Sequence, residues 1–391
     1  MAETRLDSVQ RQMFDTLAMV CLNHNRQFSF EVENMLCNPA IIDDKGDEEV
    51  VRYLWKEPVL LTRKEEAIQA PKNAVIHGSA NDNFEYNYPR TQIMLEALLL
   101  NIPLIRKEDG FLRSADTWAN TAASPRYTQG ISFTFSEDVH YFNATRFSRM
   151  ERLINDADLI ITEEQKARAR CCIDRIVKTH LTKYNHQPIY APQIGRNGVK
   201  KILVVDQSYG DFSISCGMAS AKTFDIMLQA AISENPDADI IIKTHPDALA
   251  KGTERKGGYY SHIVPHDNVY TITETINPIS LIKSVDKVYV CTTQLGFEAL
   301  MCGKEVHTFG MPFYAGWGLT HDYLTCARRT HVRSLEEIFY IAYIMYSFYV
   351  NPDRKCRCEI EEAMDYLLKL REEYFAEYGI RNDLPNIEYA G

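Results

Sequence analysis

Short apolar runs of strand length alternate with stretches of helical periodicity along most of this chain, and no other feature restricts the fold as much. The alternation marks an α/β architecture on a largely parallel sheet. In the first half, residues 59–61, 74–76, 102–105 and 159–161 read as strands. Residues 90–100 place Ile93, Leu95, Leu98 and Leu99 on one helical face, and 163–181 read as a long helix with a basic outer face. The second half is more regular, with strands at 201–206, 240–243, 287–291 and 305–309 and helices at 219–233, 278–284 and 294–301. Between the halves, residues 183–200 mix Pro, Gly and Asn without periodicity and read as a linker. A length of 391 residues also exceeds what a single core usually organises. The expected fold is α/β, with two Rossmann-like domains facing a cleft, residues 1–185 and 186–391. A helical C-terminal tail runs from Ser334, interrupted at Pro352.

Charge narrows the function. With 43 Lys and Arg against 53 Asp and Glu, the net charge of -10 argues against a protein that coats nucleic acid. The ten cysteines include no C-x-x-C pair, and Cys171-Cys172 and Cys356-x-Cys358 match no zinc framework. Cys216, Cys291 and Cys302 sit in apolar runs as small core residues, and residues 1–15 lack the apolar stretch of a signal peptide. A reducing, cytoplasmic location is the expectation. The longest apolar run, IFYIAYIMYSFYV at 338–350, is thirteen residues, short of the roughly 20 that a membrane-spanning helix needs. It reads as a buried helix, with a membrane-facing or partner-facing aromatic helix as the alternative.

Five local patterns can carry chemistry, four of them at the C-terminal ends of expected strands, where open α/β sheets bind ligands. Asp206 and Gln207 follow the strand at 201–206; the carboxylate there suits a nucleophile or an acid/base group, and equally a turn-forming Asp. In Lys243-Thr244-His245-Pro246-Asp247, the proline holds His245 extended, where it can donate to a phosphate beside the charge of Lys243; a structural histidine is the plainer alternative. Thr292 and Thr293 place two hydroxyls and free N–H groups at a helix start, an anion site or an ordinary N-cap. One turn on, Glu298 can reach a ribose diol, and Gly296 permits close approach. Glu108 and Asp109, bracketed by basic residues that include Arg113, suit general acid/base work or form a solvated charged turn. Phe309 to Gly318, with Tyr314 and Trp317, reads as a rigid aromatic platform for a sugar or base rather than as core.

No dinucleotide-binding G-x-G-x-x-G follows the first strand of either half, and no Walker loop, H-E-x-x-H or G-x-S-x-G occurs. A phosphate-cradling second domain facing a carboxylate-bearing first domain is the arrangement of a two-domain nucleotide-sugar glycosyltransferase.

The segments EDGFLRS (108–114), LTKYN (181–185), ILVVDQSYGD (202–211), KTHPD (243–247), TTQLGFEALMCGKEV (292–306), FGMPFYAGWGLTHD (309–322) and IFYIAYIMYSFYVNPD (338–353) together resemble a known family. It is the bacterial capsule polysaccharide biosynthesis family of β-Kdo glycosyltransferases, which includes capsule-linker and lipopolysaccharide Kdo-transferase modules. The resemblance covers about residues 102–353, and GFEAL followed by PFYAGWG is its most specific part. It implies a GT-B-like fold and a CMP-β-Kdo donor. It also implies transfer with retention, to a glycan or lipid-linked acceptor in capsule or O-antigen synthesis.

Asp206 would then be the nucleophile of a double displacement, with Glu108 and Asp109 serving the acceptor hydroxyl. His245, Thr292, Thr293, Gly296, Lys243 and Glu298 would hold the CMP. Gln207, Arg113 and Lys183 would hold the Kdo, and Tyr314 and Trp317 the acceptor. No cofactor and no metal are expected, because the leaving group is a single phosphate monoester. The implied location is the cytoplasm or the cytoplasmic face of the inner membrane, alongside membrane-associated biosynthetic partners. Tandem capsule enzymes carry two such modules, and this chain has room for one. Rival readings are a transferase of another CMP-activated 2-keto sugar, an inverting enzyme with Asp109 as base, and a non-catalytic glycan-binding subunit.

Overall fold

The computed structural model describes residues 40–42, 48–54, 60–61, 75–78, 104–137, 139–244, 257–264 and 267–382. His245 and the helix expected at 90–100 lie outside the described residues. Two compact units emerge, and neither is a continuous stretch of chain. The first comprises residues 1–110, 129–140 and 347–359; the second comprises 111–128, 141–346 and 360–391. This differs from a single break at 185/186, because the chain leaves the first unit after Gly110 and returns to it twice.

The first unit is built on a mixed sheet. Strands β1 (Ala40–Ile42), β2 (Leu60–Leu61), β3 (Val75–Gly78) and β4 (Leu104–Asp109) run parallel in the order β2-β1-β3-β4. β5 (Ser132–Ser136) adds antiparallel to β4, with all five of its residues buried. The end of β4 is pinned by Gly110, whose N–H donates to Ser132 O at 2.8 Å. A side chain at Gly110 would overlap Ser132 itself.

The second unit carries a fully parallel sheet. Its strands are β6 (Lys201–Val205), β7 (Asp239–Lys243), β8 (Val269–Ile272), β9 (Lys287–Val290), β10 (Glu305–Thr308) and β11 (His321–Asp322). Their order is β11-β10-β9-β6-β7-β8. Counted from β6, that is the doubly wound order in which the chain reverses direction between its first and fourth strands. Ile202, Val204, Ile240, Ile242 and Tyr289 of these strands pack with Phe224, Met227 and Leu228 of the helix Ala221–Glu234. Aliphatic strands buried on both faces are what a helix-covered parallel sheet requires.

Two expectations fail for readable reasons. Residues 159–161 form no strand, and Ile160 is 78% exposed. The Arg333 guanidinium, not a neighbouring strand, satisfies the carbonyls of Ile154, Asp156 and Leu159. The helix Glu163–Thr179 then starts on a capping box between Thr162 and Gln165. The apolar run at 338–350 is not one helix. It begins as helix Leu335–Phe339, widens into a π-helical segment Tyr340–Met345, and ends in β12 (Ser347–Asn351). β12 pairs antiparallel with β5 and with β13 (Cys356–Cys358), so the tail becomes helical again only at Ile360–Tyr378. The aromatic and β-branched Phe348-Tyr349-Val350 sequence favours a strand once β5 offers an edge. Among the described residues, no helix is long and apolar enough to cross a membrane.

Candidate functional site

The ends of β6 and β9 flank the point where the second sheet reverses its order, and side chains tie them together. Gln207 Oε1 accepts from Thr292 N at 2.9 Å and from its hydroxyl at 3.2 Å, while Gln207 Nε2 lies 3.0 Å from Thr292 Oγ1. Ser213 Oγ is 3.4 Å from the same hydroxyl. Side chains at Gly217 and Gly310 would overlap the Thr292 methyl, so two glycines leave room for it. Gln207 and Thr292 are thus brought together by direct contact with each other.

Asp206 precedes this pair and is only 3% exposed. Its Oδ1 accepts from the N–H groups of Gln207 and Tyr259 at 2.9 and 2.8 Å, and its Oδ2 from Tyr260 N at 3.3 Å. The backbone wraps this closely because residue 258 is glycine; a Cβ there would overlap the carboxylate. Lys243, at the end of neighbouring β7, donates to Thr244 O at 2.9 Å. Burial pushes its ammonium down to about 8, against the opposing pull of Glu274 and Asp206. The ends of β6, β7 and β9 therefore gather a carboxylate, an amine, an amide and a hydroxyl at the switch point.

A second cluster unites three distant motifs. The N–H groups of Arg113 and Ser114 donate to Lys183 O at 3.0 and 3.2 Å, and Asn185 Nδ2 donates to Ser114 O at 3.0 Å. Gln294 Nε2 donates to Phe111 O at 2.9 Å, and Thr182 Oγ1 donates to Glu298 Oε1 at 2.6 Å. GFLRS, LTKYN and TTQLGFE are therefore one hydrogen-bonded assembly. Glu298 is its keystone rather than a group facing a ribose: burial raises its carboxyl to about 7, and hydrogen bonds from Thr182, the Lys183 N–H and Gln294 oppose that rise. Arg113 is buried, with Nη1 donating to Ser114 Oγ and Thr128 O, and its guanidinium carbon lies 6.0 Å from the Tyr184 ring centre. Lys183 Nζ lies 5.9 Å from the same ring centre.

Other expectations are revised by packing. Tyr314 and Trp317 offer no platform, because both rings are completely buried. Tyr314 OH donates to Thr293 O at 2.6 Å, and Trp317 Nε1 donates to Phe313 O at 2.8 Å. The Arg329 guanidinium covers Trp317, and Phe111, Phe297, Phe313 and Tyr343 form a continuous aromatic core. Loop residues with this much apolar area are buried by their own segment instead of being presented to a ligand. The close approach that Gly296 permits is to the Tyr314 ring, not to a nucleotide. Thr293 Oγ1 accepts from Leu295 N at 3.3 Å at the start of the helix, and the residue is half-buried.

In the first unit, Glu108 and Asp109 are consecutive residues of β4 and so project from opposite faces of the sheet. They are not a pair serving one point. Asp109 is 3% exposed, whereas Glu108 is half-buried and accepts from Asp109 N at 2.9 Å. The hydroxyl–amide contact of Thr292 with Gln207 and the keystone role of Glu298 escaped sequence reasoning; the motifs drew attention, but their mutual pairing has no local signal.

The fold and these strand ends define an α/β protein whose second unit is a doubly wound sheet of the kind that binds nucleotide-type ligands at its switch point. A family model described as capsule polysaccharide biosynthesis protein matches residues 86–354, and the chain belongs to that family. Similar relatives include the capsule polysaccharide modification protein LipA of Neisseria meningitidis serogroup A, 41% identical over 279 residues that cover 69% of this chain and 38% of LipA. The lipopolysaccharide-processing protein LpsZ of Rhizobium meliloti is 37% identical over 270 residues, covering 68% of this chain and 59% of LpsZ. The chain thus spans about two fifths of LipA, at 38%. Among solved structures, the β-Kdo 2,4 transferase of Thermosulfurimonas dismutans KpsC superposes with a TM-score of 0.73 at 31% identity, covering 85% of this chain and 98% of that one. The β-Kdo 2,7 transferase of the same protein shares the fold, with a TM-score of 0.60 at 23% identity, 85% of this chain and 99% of that one.

Proposed function

We propose that this chain is a glycosyltransferase that moves Kdo from a CMP-activated donor to a glycan or lipid-linked acceptor in capsule or lipopolysaccharide synthesis. The observation that carries the reading is the polar group at the switch point of the doubly wound sheet, Asp206, Gln207, Lys243 and Thr292, in a chain similar to a β-Kdo transferase. Such a crevice suits the nucleotide of the donor. His245 and Lys243 would meet the phosphate with hydrogen-bonding and positive groups, Thr293 offers a half-buried hydroxyl, and no metal is invoked. Lys183 would meet the sugar carboxylate, whereas Arg113 is buried among Ser114 and Thr128. The work would be done at the cytoplasmic face of the inner membrane, where lipid-linked acceptors are held.

Transfer with retention follows from two displacements. A carboxylate oxygen attacks the anomeric carbon, the bond from that carbon to the phosphate oxygen breaks, and CMP departs. The acceptor hydroxyl then attacks the same carbon, gives its proton to a second carboxylate, and releases the first. Asp206 is the nucleophile in this scheme. A specific observation favours a second assignment: the Asp206 carboxylate already accepts three main-chain N–H groups and anchors residues 258–260. In that assignment Asp206 is a positioning residue and the transfer is a single displacement.

Intact-protein mass spectrometry after incubation with CMP-Kdo and no acceptor separates these assignments. A Kdo-sized gain on wild type and Asp109→Ala that is absent from Asp206→Ala supports the first. A gain that survives Asp206→Ala removes Asp206 as the nucleophile. Donor hydrolysis without any gain points to a single displacement. Absence of turnover with CMP-Kdo alongside turnover of another CMP-linked 2-keto sugar overturns the donor, and tight glycan binding without turnover of either overturns the enzyme.

A further inference from the structure

The side of the second sheet covered by the helix Ala221–Glu234 carries a donor set that the transfer chemistry does not use. Strand periodicity puts Glu305 and His307 on one face of β10, and the parallel register sets His321 of β11 beside His307. Glu305 Oε1 lies 2.8 Å from His307 Nε2 and 3.7 Å from His321 Nε2. One ligand atom from each of the three residues lies within 4.8 Å of the others. Tetrahedral zinc bonds of about 2.0–2.1 Å place ligand atoms about 3.3 Å apart, so shifts of about an ångström would close the set on one ion. We propose that Glu305, His307 and His321 bind a single divalent transition-metal ion of the zinc class, which fastens together the two ends of the loop between β10 and β11.

The surroundings are those of a ligand rather than of a surface histidine. His307 is 7% exposed, its ring stacked between Tyr289 at 4.4 Å and His321 at 4.7 Å. Its Nδ1 is buried without a hydrogen-bond partner and faces Glu234 Oε2 at 4.0 Å. Glu234 is itself held by the hydroxyls of Tyr289 and Tyr323. A ligating histidine commonly directs its second nitrogen to a carboxylate in this way, which fixes the ring and strengthens the metal bond. Two imidazoles and one carboxylate with an open fourth position suit zinc, cobalt or nickel better than magnesium or calcium.

Without metal, Lys287 fills the cationic role, its Nζ 2.9 Å from Glu305 Oε1. It is 29% exposed, so it can turn to water when a divalent ion arrives. His321 is 65% exposed and can rotate to complete the set. The loop closed by the ion contains the buried Tyr314 and Trp317, which ties metal binding to the packing of that segment.

The metal-stripped full chain is titrated with Co2+, following its visible absorption, and with Zn2+ against a chromogenic chelator, with the melting temperature followed in parallel. One ion per chain, tetrahedral cobalt bands and a melting temperature that climbs with free zinc are expected. His321→Ala, at an exposed position that leaves the core intact, weakens binding at least about tenfold and abolishes the thermal shift. Lys287→Ala tightens binding several-fold by removing the competing cation. A cobalt spectrum and thermal shift that survive His321→Ala, or no metal-dependent change in the wild type, overturn the site.

Discussion

Asp206 and Glu298 are equally buried, each 3% exposed, and belong to the same unit, yet their surroundings assign them different work. Asp206 is met by three main-chain N–H groups, with Lys243 among the charges acting around it. That donor set holds the carboxylate in a fixed orientation. Glu298 is buried more completely relative to its donors: Thr182, Gln294 and the Lys183 N–H do not offset the desolvation, and its carboxyl rises to about 7. Burial alone does not tell what a carboxylate does. The donors do.

Replacing Asp206 tests the first half of that contrast and has the largest expected effect. Asp206→Ala removes the adduct and lowers turnover by at least about a thousandfold, about 4 kcal/mol, as measured by CMP release. Retained turnover with a lower melting temperature would leave Asp206 as an anchor only.

Glu298 tests the second half. In the folded protein it keeps its proton up to about pH 7, against an ordinary carboxyl value of 4.5. The folded state therefore binds more protons between those values, and stability falls as pH rises from about 4.5 to about 7. The full difference corresponds to about 3 kcal/mol. Glu298→Gln, which keeps an acceptor for Thr182 and the Lys183 N–H, flattens that slope and gains stability above pH 7, read from denaturant melts across the range. An unchanged slope would place the titration elsewhere.

Smaller changes probe the clamps around each group. Gly258→Ala puts a Cβ into the Asp206 carboxylate and costs about 2 kcal/mol or more, measured by urea unfolding. Thr182→Val removes one donor from Glu298 and costs about 1 kcal/mol, while moving its titration further upward.

Much of the second unit was legible in the sequence. KILVV, DIIIK and KVYV announced their strands, and the helix expected from residue 163 starts at Glu163. Strand-end motifs were also legible as such, because a residue that follows a buried strand emerges at that edge of the sheet. β5, β12 and β13 were not legible: SFTFS and SFYVN become strands only because β4, and then each other, supply hydrogen-bond partners.

The sequence by itself determined the α/β class, the strands at 201–206, 240–243, 287–291 and 305–309 with the helices between them, and which motifs lie at strand ends. These depend on local periodicity and capping, which neighbours a few residues away settle. Only the tertiary structure decided that Tyr314 and Trp317 belong to the core, that Gly296 makes room for a tyrosine, and that Glu108 and Asp109 face apart. It also brought Glu298 to Thr182 and His321 to His307. Those pairings join residues far apart in the chain, and their energies come from burial and hydrogen-bond satisfaction that exist only after the chain has closed on itself.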